Sequence, residues 1–60
     1  MNRYYIFIFE IGCRDPKTGC FEPYEYRRMS QMSINAARTY ARRLSEIPNV
    51  YHVRFYKEMY

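Results

Sequence analysis

Residues Tyr4-Tyr5-Ile6-Phe7-Ile8-Phe9-Glu10-Ile11 decide how this chain folds. Successive side chains of a strand point to opposite faces, so a strand covered on one side only reads apolar-polar-apolar. Here both alternating sets are apolar, with Tyr5, Phe7, Phe9 and Ile11 on one face and Tyr4, Ile6 and Ile8 on the other. The pattern puts this segment in the middle of a sheet. The whole chain has 60 residues, and a domain of that size buries only about 60% of the surface its unfolded chain exposes. One face of the strand is therefore expected to stay uncovered and to meet a partner, a second copy or a ligand. A homodimer would also relieve the marginal stability of so small a core.

Working outward, the first strand is expected over residues 3–12. Arg14-Asp15-Pro16-Lys17-Thr18-Gly19 follows as a turn: Pro16 presets φ, Asp15 bonds the backbone ahead, and Gly19 takes the left-handed position. A second strand is predicted over 21–29. Pro23 has no N–H to donate, which assigns that strand to a sheet edge. Ile34, Ala37, Tyr40, Ala41, Leu44 and Ile47 recur at helical spacing and predict a helix over 34–47. Ser33 is the expected N-cap, with Ser30 as competitor, and Pro48 ends the helix. A third strand is expected over 49–57, where Tyr51, Val53 and Phe55 alternate with His52, Arg54 and Tyr56.

The fold class is α+β: a single small ββαβ domain over residues 1–60. Its three-stranded, antiparallel-type sheet has the order 2-1-3 (a split β-α-β unit), with one helix packed on one face. The most apolar strand belongs in the centre and the proline-bearing strand at the edge. A four-residue loop at 16–19 pairs Asp15 with Cys20, Ile11 with Tyr24, Phe9 with Tyr26 and Ile8 with Arg27. In that register Tyr24, Tyr26, Tyr51, Val53 and Phe55 join Phe7, Phe9 and Ile11 under the helix. The open face then holds Tyr4, Ile6, Ile8 and Met29, flanked by His52, Arg54 and Tyr56. A slip of one residue would reverse the facing of the whole second strand.

Aromatic residues are 20% of the chain and hydrophobic residues 48%, a composition unlike that of disordered segments. The formal net charge is +4. Residues 1–30 carry five basic and four acidic side chains, and residues 31–60 carry five basic and two acidic ones, so the excess lies in the second half. Eight of the ten basic residues are Arg, whose planar fork suits phosphate and carboxylate and stacks on rings. No stretch approaches the roughly 20 apolar residues of a membrane span. The N-terminal segment does not read as a secretory leader, and a cytoplasmic protein is the expectation.

Catalysis is not expected. His52 is the single histidine, there is no glycine-rich phosphate loop, and the acids Glu10, Glu22 and Glu25 face basic partners on a hairpin. Cys13 and Cys20 are half of a tetrahedral zinc set and read as reduced thiols. No metal or cofactor is expected. Two surfaces remain. Arg38, Arg42 and Arg43 on the helix, with Arg54 and extended by Arg27 and Arg28, are candidate contacts for phosphates or an acidic partner. Tyr4, Ile6, Ile8, Met29, His52 and Tyr56 are candidates for an interface, including that of a homodimer. The leading expectation is a non-enzymatic module that binds nucleic acid. The alternative is a small protein, of the kind encoded by phages and other mobile elements, that inhibits or adapts a partner protein through its open sheet face or edge strand.

Overall fold

The computed structural model describes residues 3–58. Four elements follow in order: β1 (Tyr5–Cys13), β2 (Glu25–Met32), α1 (Ile34–Ser45) and β3 (Val50–Lys57). The sheet order is β2-β1-β3, and β1 runs antiparallel to both neighbours. The expected ββαβ architecture, with the doubly apolar strand in the centre and the second strand at an edge, is the observed one, but β2 begins after Pro23 and runs past Met29 instead of covering the expected 21–29.

The hairpin turn forms as its residue types dictate. The Asp15 carboxylate accepts from the backbone N–H of Lys17 at 2.8 Å, the N–H of Gly19 donates to the Asp15 carbonyl at 2.8 Å, and Gly19 has φ +74°. Asp15 then donates to the Cys20 carbonyl, the pairing that the loop length predicts. Ser33 caps α1 by accepting from the N–H of Ala36 at 3.2 Å. The helix stops at Ser45, two residues before the expected end, and Glu46 and Ile47 close it with tighter bonds to Arg43 and Leu44. Asn49 takes φ +71°, which Asn tolerates better than most residues, and turns the chain into β3.

One helix lies over one face of the sheet, on β3 and β1. Beneath it Phe7, Phe9, Ile11, Ala37 and Leu44 are buried. Phe9 is fully enclosed. Its ring meets the edge of Tyr40 at 4.8 Å and stacks on Phe55 at 5.6 Å. Small Ala37 lets the helix approach these rings closely.

The register of β2 differs from the expectation, and the cause is Pro23. Near the turn the predicted pairing holds, with Arg14 opposite Phe21 and the N–H of Glu22 donating to the Cys13 carbonyl. Ladder pairing resumes at Ile11–Glu25, followed by Glu10–Tyr26, Phe9–Arg27 and Ile8–Arg28. Pro23 and Tyr24 together oppose Gly12, because a residue without an N–H cannot extend the ladder. One extra residue reverses the facing of everything after it. Tyr26 and Arg28 turn to the open face, whereas Glu25, Arg27 and Met29 turn to the helix side. Met29, expected on the open face, packs against the core opposite Phe7.

Two further bulges complete the sheet. In β3 the partner of Gly12 is His52 and that of Cys13 is Val50, which leaves Tyr51 as an extra residue. Val50 takes the core position expected of Tyr51, and the Tyr51 ring lies over Gly12 on the open face. In β2, Ser30 and Gln31 together oppose Ile6, between the pairs Phe7–Met29 and Tyr5–Met32. Gln31 has φ +55°, the left-handed seat that glycine usually fills in such bulges, at a cost of about 1–2 kcal/mol.

Phe9 is the test of this packing. Removing a buried Phe side chain costs about 3–5 kcal/mol, close to all that so small a core supplies. Phe9→Ala is expected to abolish the cooperative thermal transition seen by circular dichroism. A transition preserved within a few degrees would place the core elsewhere.

Candidate binding face

The face of the sheet away from α1 is built from alternate residues of all three strands and from the base of the hairpin. Gly12 sets its centre. A Cβ there would lie 2.9 Å from both the Tyr24 and Tyr51 rings, so the bare backbone is what lets two rings settle on β1. The Tyr24 ring stacks on His52 with centroids 5.0 Å apart and planes 13° from parallel. Tyr51 leans on Phe21 at 4.7 Å, and Arg14 lies over the other side of that cluster, 5.1 Å from the Phe21 centroid. At the far edge Arg54 lies over Tyr56 at 5.5 Å. Tyr4, Phe21, Tyr24, Tyr26, Tyr51 and Tyr56 are each 40–62% exposed. Soluble monomers rarely leave a contiguous apolar surface of this kind unless it contacts something.

A polar triad sits among the rings. Glu10 Oε1 lies 2.9 Å from His52 Nε2, and the Tyr26 hydroxyl donates to Glu10 Oε2 at 3.1 Å. An ionised carboxylate only accepts, so Nε2 carries the shared proton. The His52 hydrogen bond holds the Glu10 carboxyl below its ordinary value of 4.5; burial opposes this, and Tyr26 and the Arg54 charge reinforce it. The same contact raises the Tyr26 phenol above its ordinary 10.0. The one acid in the middle of the face is thus satisfied on both oxygens.

The sequence-predicted site residues fall on two opposite sides of the molecule. Arg38, Arg42 and Arg43 are exposed on α1, and among the described residues they form no ion pair. Arg54 and Arg28 project from the open face, with the sheet between them and the helix. Arg28 binds the Glu58 carboxylate at 3.1 Å. Arg27, turned to the helix side by the register slip, is held by Glu25 at 2.9 Å and by the Tyr40 hydroxyl at 3.0 Å. Arg54 lies across the sheet from the helix arginines, as the expected facing of β3 implies, and Arg28 lies on the Arg54 side of the sheet. Of the interface candidates, Tyr4, Ile6, Ile8, His52 and Tyr56 share the open face, and Met29 does not. Ile6 and Ile8 are half-buried by their neighbours on that face.

The face also contains Phe21, Tyr24, Tyr26, Tyr51 and Arg14, none of them among the candidates from sequence. Two signals mark them. A glycine inside a strand pattern points to a close approach or a bulge, and a proline in the neighbouring strand shows where the ladder breaks. Cys13 and Cys20 are free thiols, half-buried and exposed respectively. Among the described residues no cluster of three or more His, Cys, Asp or Glu is placed to hold a metal ion, and no helix is long and apolar enough to cross a membrane. No protein-family model matches the chain, and neither a curated protein nor a solved structure shows significant similarity to it.

The triad has a pH signature. A carboxyl whose folded value is depressed stabilises the fold fully above its unfolded pKa, and that contribution is lost as pH falls through the lower folded value. The melting temperature is therefore expected to decline as pH drops from about 4.5 downward, and Glu10→Gln is expected to flatten that part of the decline. Equal acid-side slopes in the two proteins would show that the His52 contact contributes nothing to stability.

Proposed function

We propose that the chain is a non-enzymatic module that binds single-stranded nucleic acid across its open sheet face. The observation that carries this reading is the row of exposed rings on that face (Phe21, Tyr51, Tyr24 stacked on His52, Tyr26 and Tyr56), interleaved with Arg14 and Arg54. Bases stack on such rings whatever their identity, at about 1–3 kcal/mol per base, and guanidinium groups at the rim meet the phosphates. The rings lie on the two outer strands and the hairpin base, with Gly12 between them, so a strand crossing the sheet would find a platform on either side of β1. The triad of Glu10 with His52 and Tyr26 keeps the central carboxylate occupied. The net charge of +4 favours a polyanion at long range.

A second reading rests on Ile6 and Ile8. Aliphatic side chains in the middle strand suit a protein surface better than a base, and Tyr and Arg are also common at protein interfaces. In that reading the same face grips a second copy or a partner protein. Ile8→Arg is expected to turn a dimer, measured by light scattering, into a folded monomer. A chain that is already monomeric, or a mass unchanged by the substitution, would count against self-association through this face.

Fluorescence anisotropy with a labelled 12-mer at low salt separates the readings. Strand binding is expected to weaken log-linearly with salt. Tyr24→Ala with Tyr51→Ala is expected to weaken it at least about thirtyfold, the smaller end of the stacking range for two bases. Arg38→Glu with Arg42→Glu, on the opposite side, is expected to change it far less. Absence of binding to any single strand, or loss confined to the helix variant, would refute the proposal.

A further inference from the structure

The open face ends in a cavity where β1 begins and β2 and β3 finish. Its volume is about 530 Å³, and its walls include Tyr4, Tyr5, Ser30, Gln31, Lys57 and Glu58. Cavities of 300–1,000 Å³ are the usual size for small-molecule sites. The wall groups differ from those of the rest of the face. The open platform offers rings, on which any base stacks, and guanidinium groups that meet the phosphates. The cavity adds an amide, a hydroxyl and a carboxylate, the side-chain types that read base edges.

Two features show that these groups are held in place. The backbone N–H of Glu58 donates to the Ile6 carbonyl at 2.8 Å, which ties Glu58 to β1, and Arg28 grips its carboxylate through both Nε and Nη2, at 3.1–3.3 Å. Gln31 occupies a left-handed bulge position, φ +55°, where glycine would be free of strain. A strained non-glycine residue at the mouth of a cavity points to a use for its side chain. Lys57 Nζ lies over the Tyr5 ring at 4.8 Å and supplies positive charge at the cavity edge.

We infer that this cavity takes one base of the bound strand, specifically a base carrying an exocyclic amino group: adenine, cytosine or guanine rather than thymine or uracil. The inference deepens the strand-binding reading and rests on it. Tyr4 stacks on the base, the Glu58 carboxylate accepts from its amino group, and the Gln31 amide pairs with the adjacent edge. Thymine and uracil carry no amino group, and their one ring donor, N3–H, sits between two carbonyl oxygens that the Glu58 carboxylate repels. The module is therefore a general strand binder with one reading position at the end of its platform.

The test compares an all-thymine DNA 12-mer with 12-mers in which one thymine is replaced by cytosine, adenine or guanine, by anisotropy at fixed salt. The substituted strands are expected to bind about five- to tenfold tighter, the lower part of the range for one paired base edge. Gln31→Gly is expected to reduce that advantage at least about threefold and to melt no lower than the unmodified chain. Tyr4→Ala is expected to remove the advantage as well. Equal binding of all four strands by the unmodified chain, or an advantage unchanged in Gln31→Gly, would overturn the reading position while leaving the platform intact. A lower melting temperature for Gln31→Gly would remove the strain on which the argument rests. If none of the strands binds, the platform itself fails, and the reading position with it.

Discussion

One helix can cover only one side of a sheet, and the described residues contain one helix. The central strand is apolar on both sides. The resulting constraint orders the rest of the structure: α1 is committed to Phe7, Phe9 and Ile11 through Ala37, Tyr40 and Leu44, and whatever lies on the reverse of β1 faces outward. The buried set is small, so the Phe9 contacts with Tyr40 and Phe55 bear a large share of the hydrophobic stabilisation. Local features such as the Asp15 turn and the Ser33 cap specify where the chain reverses, and the aromatic packing sets which side of the sheet the helix takes.

The open face is shaped by interruptions of the sheet. Three places break the regular ladder: Pro23–Tyr24 opposite Gly12, Tyr51 between Val50 and His52, and Ser30–Gln31 opposite Ile6. The first two lie on either side of Gly12 and turn Tyr24 and Tyr51 outward onto its bare backbone. The third opens the cavity at the other end. Bulges commonly re-aim side chains next to functional sites, and here they bring rings to a face that a regular sheet would have left to Ile8, Glu10 and Gly12.

Much of the architecture is legible in the sequence. The doubly apolar run of β1, Pro23 at the approach to β2, the spacing of Ala37, Tyr40 and Leu44 and the stop at Pro48 suffice for the element order, the sheet order and the side on which the helix packs. The facing of individual residues on the outer strands is not legible to the same degree, because one inserted residue reverses a strand and little in local propensity marks the insertion. The turn fixes the pairing of Asp15 with Cys20, and counting on from there fails at Pro23. Met29 and Arg27 were thereby expected on the wrong side, and Tyr24, Tyr26 and Tyr51 in a core that has no room for them. Gly12 was the informative residue: a strand position without a side chain, two residues after Glu10, where neighbouring rings close over the backbone. The helix arginines Arg38, Arg42 and Arg43 were legible as exposed. Their separation from Arg54 by the thickness of the sheet was legible too, because Arg54 alternates with the core residues Val53 and Phe55.

The central claim is that the ring-bearing side of the sheet, and not the arginine side of the helix, meets the strand. Nuclear magnetic resonance spectra of the chain titrated with an unstructured single strand test it most directly. The account predicts that the ring signals of Tyr24, Tyr51 and Tyr56 and the imidazole of His52 shift together and saturate at one concentration, with the backbone amides of residues 38–43 left in place. Shifts centred on those helix amides, or rings that do not respond at any concentration, would contradict it.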